Sequence, residues 1–166
     1  LAVGLSSVLC AWFYTGGPYP LAYNGMGDVF VVLFFGLIAV GCTYFVQALQ
    51  ITVDVLLLGL ACGLVINNIL VVNNYRDLDE DLRASKRTLV VMMGRRFAQI
   101  QYLGSTVLSA AILLVLAWKQ HASWLGLAGV PLSYGFVIGA RLHRLSTADE
   151  FLGVLKASGV IVAAFG

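Results

Sequence analysis

The chain has 166 residues, 60% of them hydrophobic and only 11% charged, with a mean hydropathy of +0.93 and a formal net charge of +2. Soluble domains are about 45–50% apolar, and here the apolar residues come in long blocks rather than amphipathic stripes, so a water-soluble globular domain is excluded. The small net charge says little by its size and much by its placement.

In chain order, Leu1–Tyr14 reads as an apolar span that begins with the first residue. The breakers Gly16-Gly17-Pro18-Tyr19-Pro20 end it, and a polar, glycine-rich stretch, Leu21-Ala22-Tyr23-Asn24-Gly25-Met26-Gly27-Asp28, leads to the next span. About 20 mainly apolar residues cross a hydrocarbon core, which predicts spans over Val29–Ala48, Val53–Val72, Phe97–Trp118 and, somewhat short, Leu125–Ala140. Phe151–Gly166 reads as a last span. The expectation is an all-α, polytopic transmembrane helix bundle forming one domain over residues 1–166, with further residues beyond both ends because each end lies inside an apolar run. Gly59 and Gly63 form a GxxxG that would let a neighbouring helix approach closely. Asn67 and Asn74, two helical turns apart, share a face that should point into the bundle. Cys10, Cys42 and Cys62 fall singly in separate spans and read as small buried hydrophobes; His121 and His143 lack partners at ligand spacing.

Charge gathers in one place. Four of the 8 acidic residues and six of the 10 basic ones lie between Arg76 and Arg96. Asn73–Arg96 and Arg141–Glu150 together carry eight Lys/Arg, against Lys119 alone on the other side of an alternating topology. That bias predicts a multi-pass protein of the cell (inner or plasma) membrane with Asn73–Arg96 facing the cytoplasm. Thr15–Asp28, which belongs to the same side, contains no Lys or Arg.

Within the charged segment Asp77 and Asp81 are spaced i, i+4. If the helix of the third span continues through them, both carboxylates project from one face, and their mutual repulsion favours a cation between them. Mg²⁺ takes one or two carboxylates and completes its shell with phosphate oxygens and water. Asp79 and Glu80 point elsewhere. Arg76, Arg83, Lys86 and Arg87 surround the pair with positive charge suited to a diphosphate. The same run could equally be a solvated loop that only orients the helices.

The order Asn73-Asn74-Tyr75-Arg76-Asp77-x-x-x-Asp81, followed by Lys86-Arg87-Thr88-Leu89-x-Val91-x-x-Gly94, resembles the second aspartate-rich motif of the UbiA superfamily of intramembrane aromatic prenyltransferases. Tyr23-Asn24-Gly25-Met26-Gly27-Asp28-Val29 with Phe34-Phe35-Gly36, and Leu155-Lys156-Ala157-Ser158, extend the likeness along most of the chain. Within the superfamily it is most similar to the branch that prenylates 1,4-dihydroxy-2-naphthoate for menaquinone. The resemblance implies about six helices of a nine-helix bundle and transfer of a polyprenyl group from its diphosphate to the naphthoate ring, with loss of diphosphate and CO₂. It implies Mg²⁺ held by Asp77 and Asp81, and diphosphate held by Arg76, Lys86, Arg87, Asn73 and Asn74, with Lys86 counted among the catalytic groups. Polyprenyl diphosphate, dihydroxynaphthoate and the lipid bilayer are the implied partners, and no nucleic acid is expected. Tyr19, Tyr23 and Tyr75 are on the side where an allylic cation would form and suit interfacial anchoring equally well; for the acceptor's carboxylate the chain offers at most Arg141.

Two departures accompany the likeness. The superfamily's first aspartate-rich motif, which completes the metal site, is absent, so these residues alone are expected to be inactive. Ser85 stands where glycine is usual and Met92 where arginine is common. The rival readings are a related prenyltransferase acting on 4-hydroxybenzoate, homogentisate or haem, and a transporter or structural membrane subunit.

Overall fold

The computed structural model describes residues 2–166, all of whose regular elements are helical. Helix α1 covers Ala2–Thr15; Leu1 lies outside the described residues. After the breaker cluster a 3₁₀ turn at Leu21–Tyr23 leads into the span Gly27–Ala48, built from α2 (Gly27–Val31), a π-helical stretch Val32–Ile38 and α3 (Ala39–Ala48). Helix α4 runs Val53–Arg76, and the short helices α5 (Leu78–Arg83) and α6 (Leu89–Met93) shape the charged connection. Helix α7 is Arg95–Lys119, α8 is Gly129–Arg141 with 3₁₀ turns on either side, and α9 is Ala148–Phe165.

Four helical stretches are long and apolar enough to cross a membrane: Gly27–Ala48, Val53–Arg76, Arg95–Lys119 and Ser123–Arg144. The chain is a multi-pass helical membrane protein. Helix α1 agrees with the first expected span to within a residue, whereas α9 starts earlier than Phe151 because Thr147 caps it, which brings Asp149 and Glu150 into the same helix as Lys156.

The expected alternation holds. At one end, the Arg87 N–H donates to Tyr23 O (2.9 Å), joining the first connection to the third. There too, Gln99 Nε2 donates to the carbonyls of Gly139 (3.2 Å) and Ala140 (3.1 Å), where the fifth connection begins. At the opposite end Lys119 Nζ and Gln120 Nε2 both bond the carboxylate of Asp54 (2.6 and 2.5 Å), tying the second connection to the fourth.

Helix association in lipid gains little from apolar burial and depends on close packing and internal hydrogen bonds. Both are present. Gly36, in the π-helical stretch, lies against Gly59 and Gly63 of α4, so the GxxxG face is an actual crossing. A Cβ on Gly63 would stand 2.7 Å from Val32 O and 3.0 Å from Gly36 Cα, and one on Gly36 would meet Gly63 Cα at 2.7 Å. The core behind this crossing contains Val71, Val72, Tyr75, Tyr102, Leu142 and Phe151. Its polar members are bonded across helices, as Asn68 to Thr106 (3.1 Å), Ser109 to Ala61 O (3.2 Å) and Tyr102 to Ser158 (3.3 Å).

Gly63→Ala is expected to destabilise the full-length protein by about 1–3 kcal/mol, the usual cost of overpacking. Gly41→Ala, whose Cβ meets nothing within 4 Å, should be close to neutral. Thermal unfolding of both variants in detergent checks the contrast. A second outcome concerns the capping box of α9, where Glu150 accepts from the N–H groups of Ser146 (2.8 Å) and Thr147 (3.0 Å). These bonds, that of Ser146 first, hold its carboxyl below the ordinary glutamate range. A lowered carboxyl contributes fully above the unfolded value, near pH 4.3, and loses its contribution as pH falls through the lower folded value. Amide exchange at Ser146 and Thr147 should therefore stay protected at neutral pH and lose protection only in acid below about pH 4.

Candidate functional site

A cavity of about 360 Å³ opens where the first and third connections meet, and Tyr14, Tyr23, Asp28, Asn74, Asp81, Lys86 and Thr88 are in its wall. Each of its polar groups has a local cause. Asn74 projects inward from the last turn of α4 and is buried. Thr88 is the N-cap of α6, its hydroxyl accepting from the Val91 N–H at 3.2 Å. Tyr23 and Gly25 are brought over the opening by the Arg87–Tyr23 main-chain bond and by the side chain of Met92, which packs on Gly25 in left-handed backbone (φ +75°).

The helix of the third span does not run unbroken through both aspartates. It ends at Arg76, and Asp77 (φ −90°, ψ 9°) is the joint from which α5 resumes. The turn linking the pair persists all the same, since the Asp81 N–H donates to Asp77 O (2.8 Å). The break matters for direction. Asp81 is buried and faces the cavity, where Lys86 Nζ bonds both of its oxygens (3.0 and 3.2 Å). Asp77 is not in the cavity wall; Arg76 grips it in a two-pronged pair at 2.6 and 2.9 Å. Each carboxylate thus has its own cation. Asp79 pairs with Arg95 at the surface (3.2 Å), and Glu80 is exposed.

The remaining expected residues divide. Lys86 and Asn74 line the cavity; Asn73 is half-buried beside it in sequence, and Arg76 and Arg87 are exposed at its margin. Of the tyrosines only Tyr23 lines the wall among those expected. Tyr75 is buried against Phe151 (ring centroids 5.9 Å apart) under the guanidinium of Arg95, and Tyr19 is exposed. Arg141 is exposed at the end of α8 and takes no part. Asp28, expected in a loop, belongs instead to the first turn of α2 and is buried, accepting from Asn67 Nδ2 (3.0 Å) and Gln101 Nε2 (2.6 Å). Its residue type was the available signal, as an isolated carboxylate at the head of a membrane span needs a partner or a task.

Asp81 faces the cavity and would supply one carboxylate of a Mg²⁺ shell that phosphate oxygens and water complete, with Asp77 one turn away outside the wall. Among the described residues no three His, Cys, Asp or Glu side chains are grouped as metal ligands. Next to this polar cavity is an apolar one of about 350 Å³, lined by Ser7, Cys10, Ala11, Phe30, Val31, Phe34 and Phe35, and Tyr14 belongs to both.

The backbone at Ser85 accounts for the glycine expected there. The residue has φ +56°, left-handed backbone in the turn that delivers Lys86. Ser85→Gly is expected to keep Lys86 in place and to raise stability by up to about 1 kcal/mol, the left-handed penalty set against glycine's greater unfolded freedom. Chemical or thermal unfolding of the full-length protein measures it.

Residues 1–151 match the UbiA prenyltransferase family. The chain is 36% identical to a 1,4-dihydroxy-2-naphthoate octaprenyltransferase of Mycobacterium tuberculosis over 160 residues, which are 96% of this chain and 54% of that protein. It is 36% identical to the protein of that name from Escherichia coli, over 80% of this chain and 44% of the relative. It is 30% identical to UbiA prenyltransferase domain-containing protein 1 of Gallus gallus, over 98% of this chain and 50% of the relative. The chain spans about half the length of these curated relatives. No solved structure matches it.

Proposed function

The chain belongs to the UbiA prenyltransferase family, and from that premise we propose that the full-length protein transfers a polyprenyl group from its diphosphate to 1,4-dihydroxy-2-naphthoate, a step of menaquinone biosynthesis. The observation that carries this reading is the cavity in which Asp81, Lys86 and Asn74 stand together at the mouth of the bundle, in a chain similar along most of its length to proteins named for that reaction.

Asp77 and Asp81 are the residues that would hold Mg²⁺, which supplies charge neutralisation to a diphosphate leaving group. Lys86 and Arg76 are each already paired with one of these carboxylates. With a metal ion on the carboxylates, both side chains would be free to bind phosphate oxygens, Arg76 in its fork and Lys86 as a compact charge. Asn74 donates from the cavity wall, while Asn73 and Arg87 add contacts at the margin. Preformed donors of this kind act most strongly where charge develops on the departing oxygen.

The adjoining apolar cavity, with Phe30 and Phe34 stacked 5.8 Å apart, suits an isoprenoid tail and keeps water from the carbon that becomes electron-poor. Tyr14, shared by the two cavities, marks where the polar head and the apolar tail of such a substrate would join. The eight-to-one charge bias supports a cytoplasmic position for the site, facing the side from which water-soluble substrate and Mg²⁺ come.

The test is full-length protein in membranes, supplied with dihydroxynaphthoate, a polyprenyl diphosphate and Mg²⁺. Prenylated product should form, stop on chelation of the metal, and fall by about 100-fold or more in Asp77→Ala, Asp81→Ala and Lys86→Ala. Product formation indifferent to chelation and to all three substitutions would overturn the assignment of these residues.

A further inference from the structure

Asp28 is not among the groups assigned to metal or diphosphate, yet it is the most elaborately held side chain of the cavity wall. It reaches the wall from α2, Asn67 reaches it from α4 and Gln101 from α7, so three helices converge on one carboxylate. Both amides donate to the same oxygen, Oδ1. Among the described residues Oδ2 accepts no hydrogen bond and no cation is paired with Asp28. The amide oxygens left over, Asn67 Oδ1 and Gln101 Oε1, are buried without a partner.

Of the three residues Asp28 alone is in the cavity wall, and its Oδ2 is left for a ligand that brings a hydrogen. A diphosphate has no hydrogens to offer and would be repelled. An aromatic diol offers two hydroxyls. Asp81, the other carboxylate of the wall, is a poor alternative base because Lys86 occupies both its oxygens.

We propose that Asp28, oriented by Asn67 and Gln101, is the base that takes the proton from a ring hydroxyl of the aromatic acceptor. This rests on the prenyl-transfer reading above. The acceptor O–H bond breaks and its proton passes to Asp28 Oδ2, while the oxygen's electron pair enters the ring. The ring carbon bearing the carboxylate forms the C–C bond to the allylic C1, as the C1–O bond breaks and diphosphate leaves with its electron pair. Loss of CO₂ from that carbon returns a pair to the ring, and Asp28 gives the proton back to the oxygen. Asn67 and Gln101 are positioning residues: neutral donors, they hold the carboxylate without quenching its charge.

The titratable groups facing the same cavity are Tyr14 from α1, Tyr23 from the first connection, Asp81 from α5 and Lys86 from the turn after it. Tyr14 is close enough for its hydroxyl to lie 3.3 Å from where a Cβ on Gly27 would be.

The deciding experiment compares wild-type and Asp28→Asn full-length protein in lipid nanodiscs, with dihydroxynaphthoate, a polyprenyl diphosphate and Mg²⁺, across a range of pH. The expected result is a kcat lower by about 100-fold or more at neutral pH. KM for the polyprenyl diphosphate should stay within about threefold, and the kcat deficit should narrow as pH rises and the hydroxyl ionises unaided. A kcat within about threefold of wild type at every pH overturns the proposal while leaving prenyl transfer intact. Absence of product from the wild type would overturn prenyl transfer and the base together. Should Asp28→Asn not be recovered folded, wild type supplied with the acceptor's dimethyl ether decides: a comparable loss of turnover supports the base, and undiminished turnover refutes it.

Discussion

The backbone crossing of Gly36 with Gly59 and Gly63 sets the geometry on which the rest of this bundle depends. Without side chains between them, the Gly27–Ala48 span and α4 approach until main-chain atoms touch. That depth lets Asp28 reach Asn67, and it brings the connection before α2 low enough to meet Arg87 and Met92. The π-helical stretch Val32–Ile38 contains Gly36, so the place where the helix is locally widened is also the place where it is most closely packed. Such widened turns recur at functional positions because they redirect the residues on either side. Here they carry Phe30 and Phe34 on the flank of the apolar cavity.

The site has two regimes of electrostatics. On the outer side, carboxylates and cations pair at short range: Arg76 with Asp77, Lys86 with Asp81, Arg95 with Asp79. On the inner side a carboxylate is held by neutral amides alone. Ion-paired carboxylates and one held by neutral dipoles thus stand at two sides of a single cavity.

Much of this organisation was legible in the chain. Apolar blocks gave away the four long spans because a bilayer demands some twenty apolar residues in succession. The inward face of Asn67 and Asn74 followed from helical periodicity, and Lys86 and Asp81 stood out as charges at a membrane boundary. What escaped was whatever depends on contacts distant in sequence. Asp28 reads as a loop residue after Gly25-Met26-Gly27, and its burial becomes evident only once Gln101, on another helix, is brought alongside. Tyr75 reads as a wall residue by position, but Phe151 and Arg95 claim it for the core. The break at Asp77 also had no local sign, since neither proline nor glycine interrupts Tyr75–Arg83.

The bond between Arg87 N–H and Tyr23 O has a further consequence. It fastens the cover of the cavity to its floor through main-chain atoms only. Docking of the two connections is then indifferent to which side chains positions 23 and 87 carry. Neither side chain is then needed to hold the two connections together, and both are left to shape the entrance that the main chain closes.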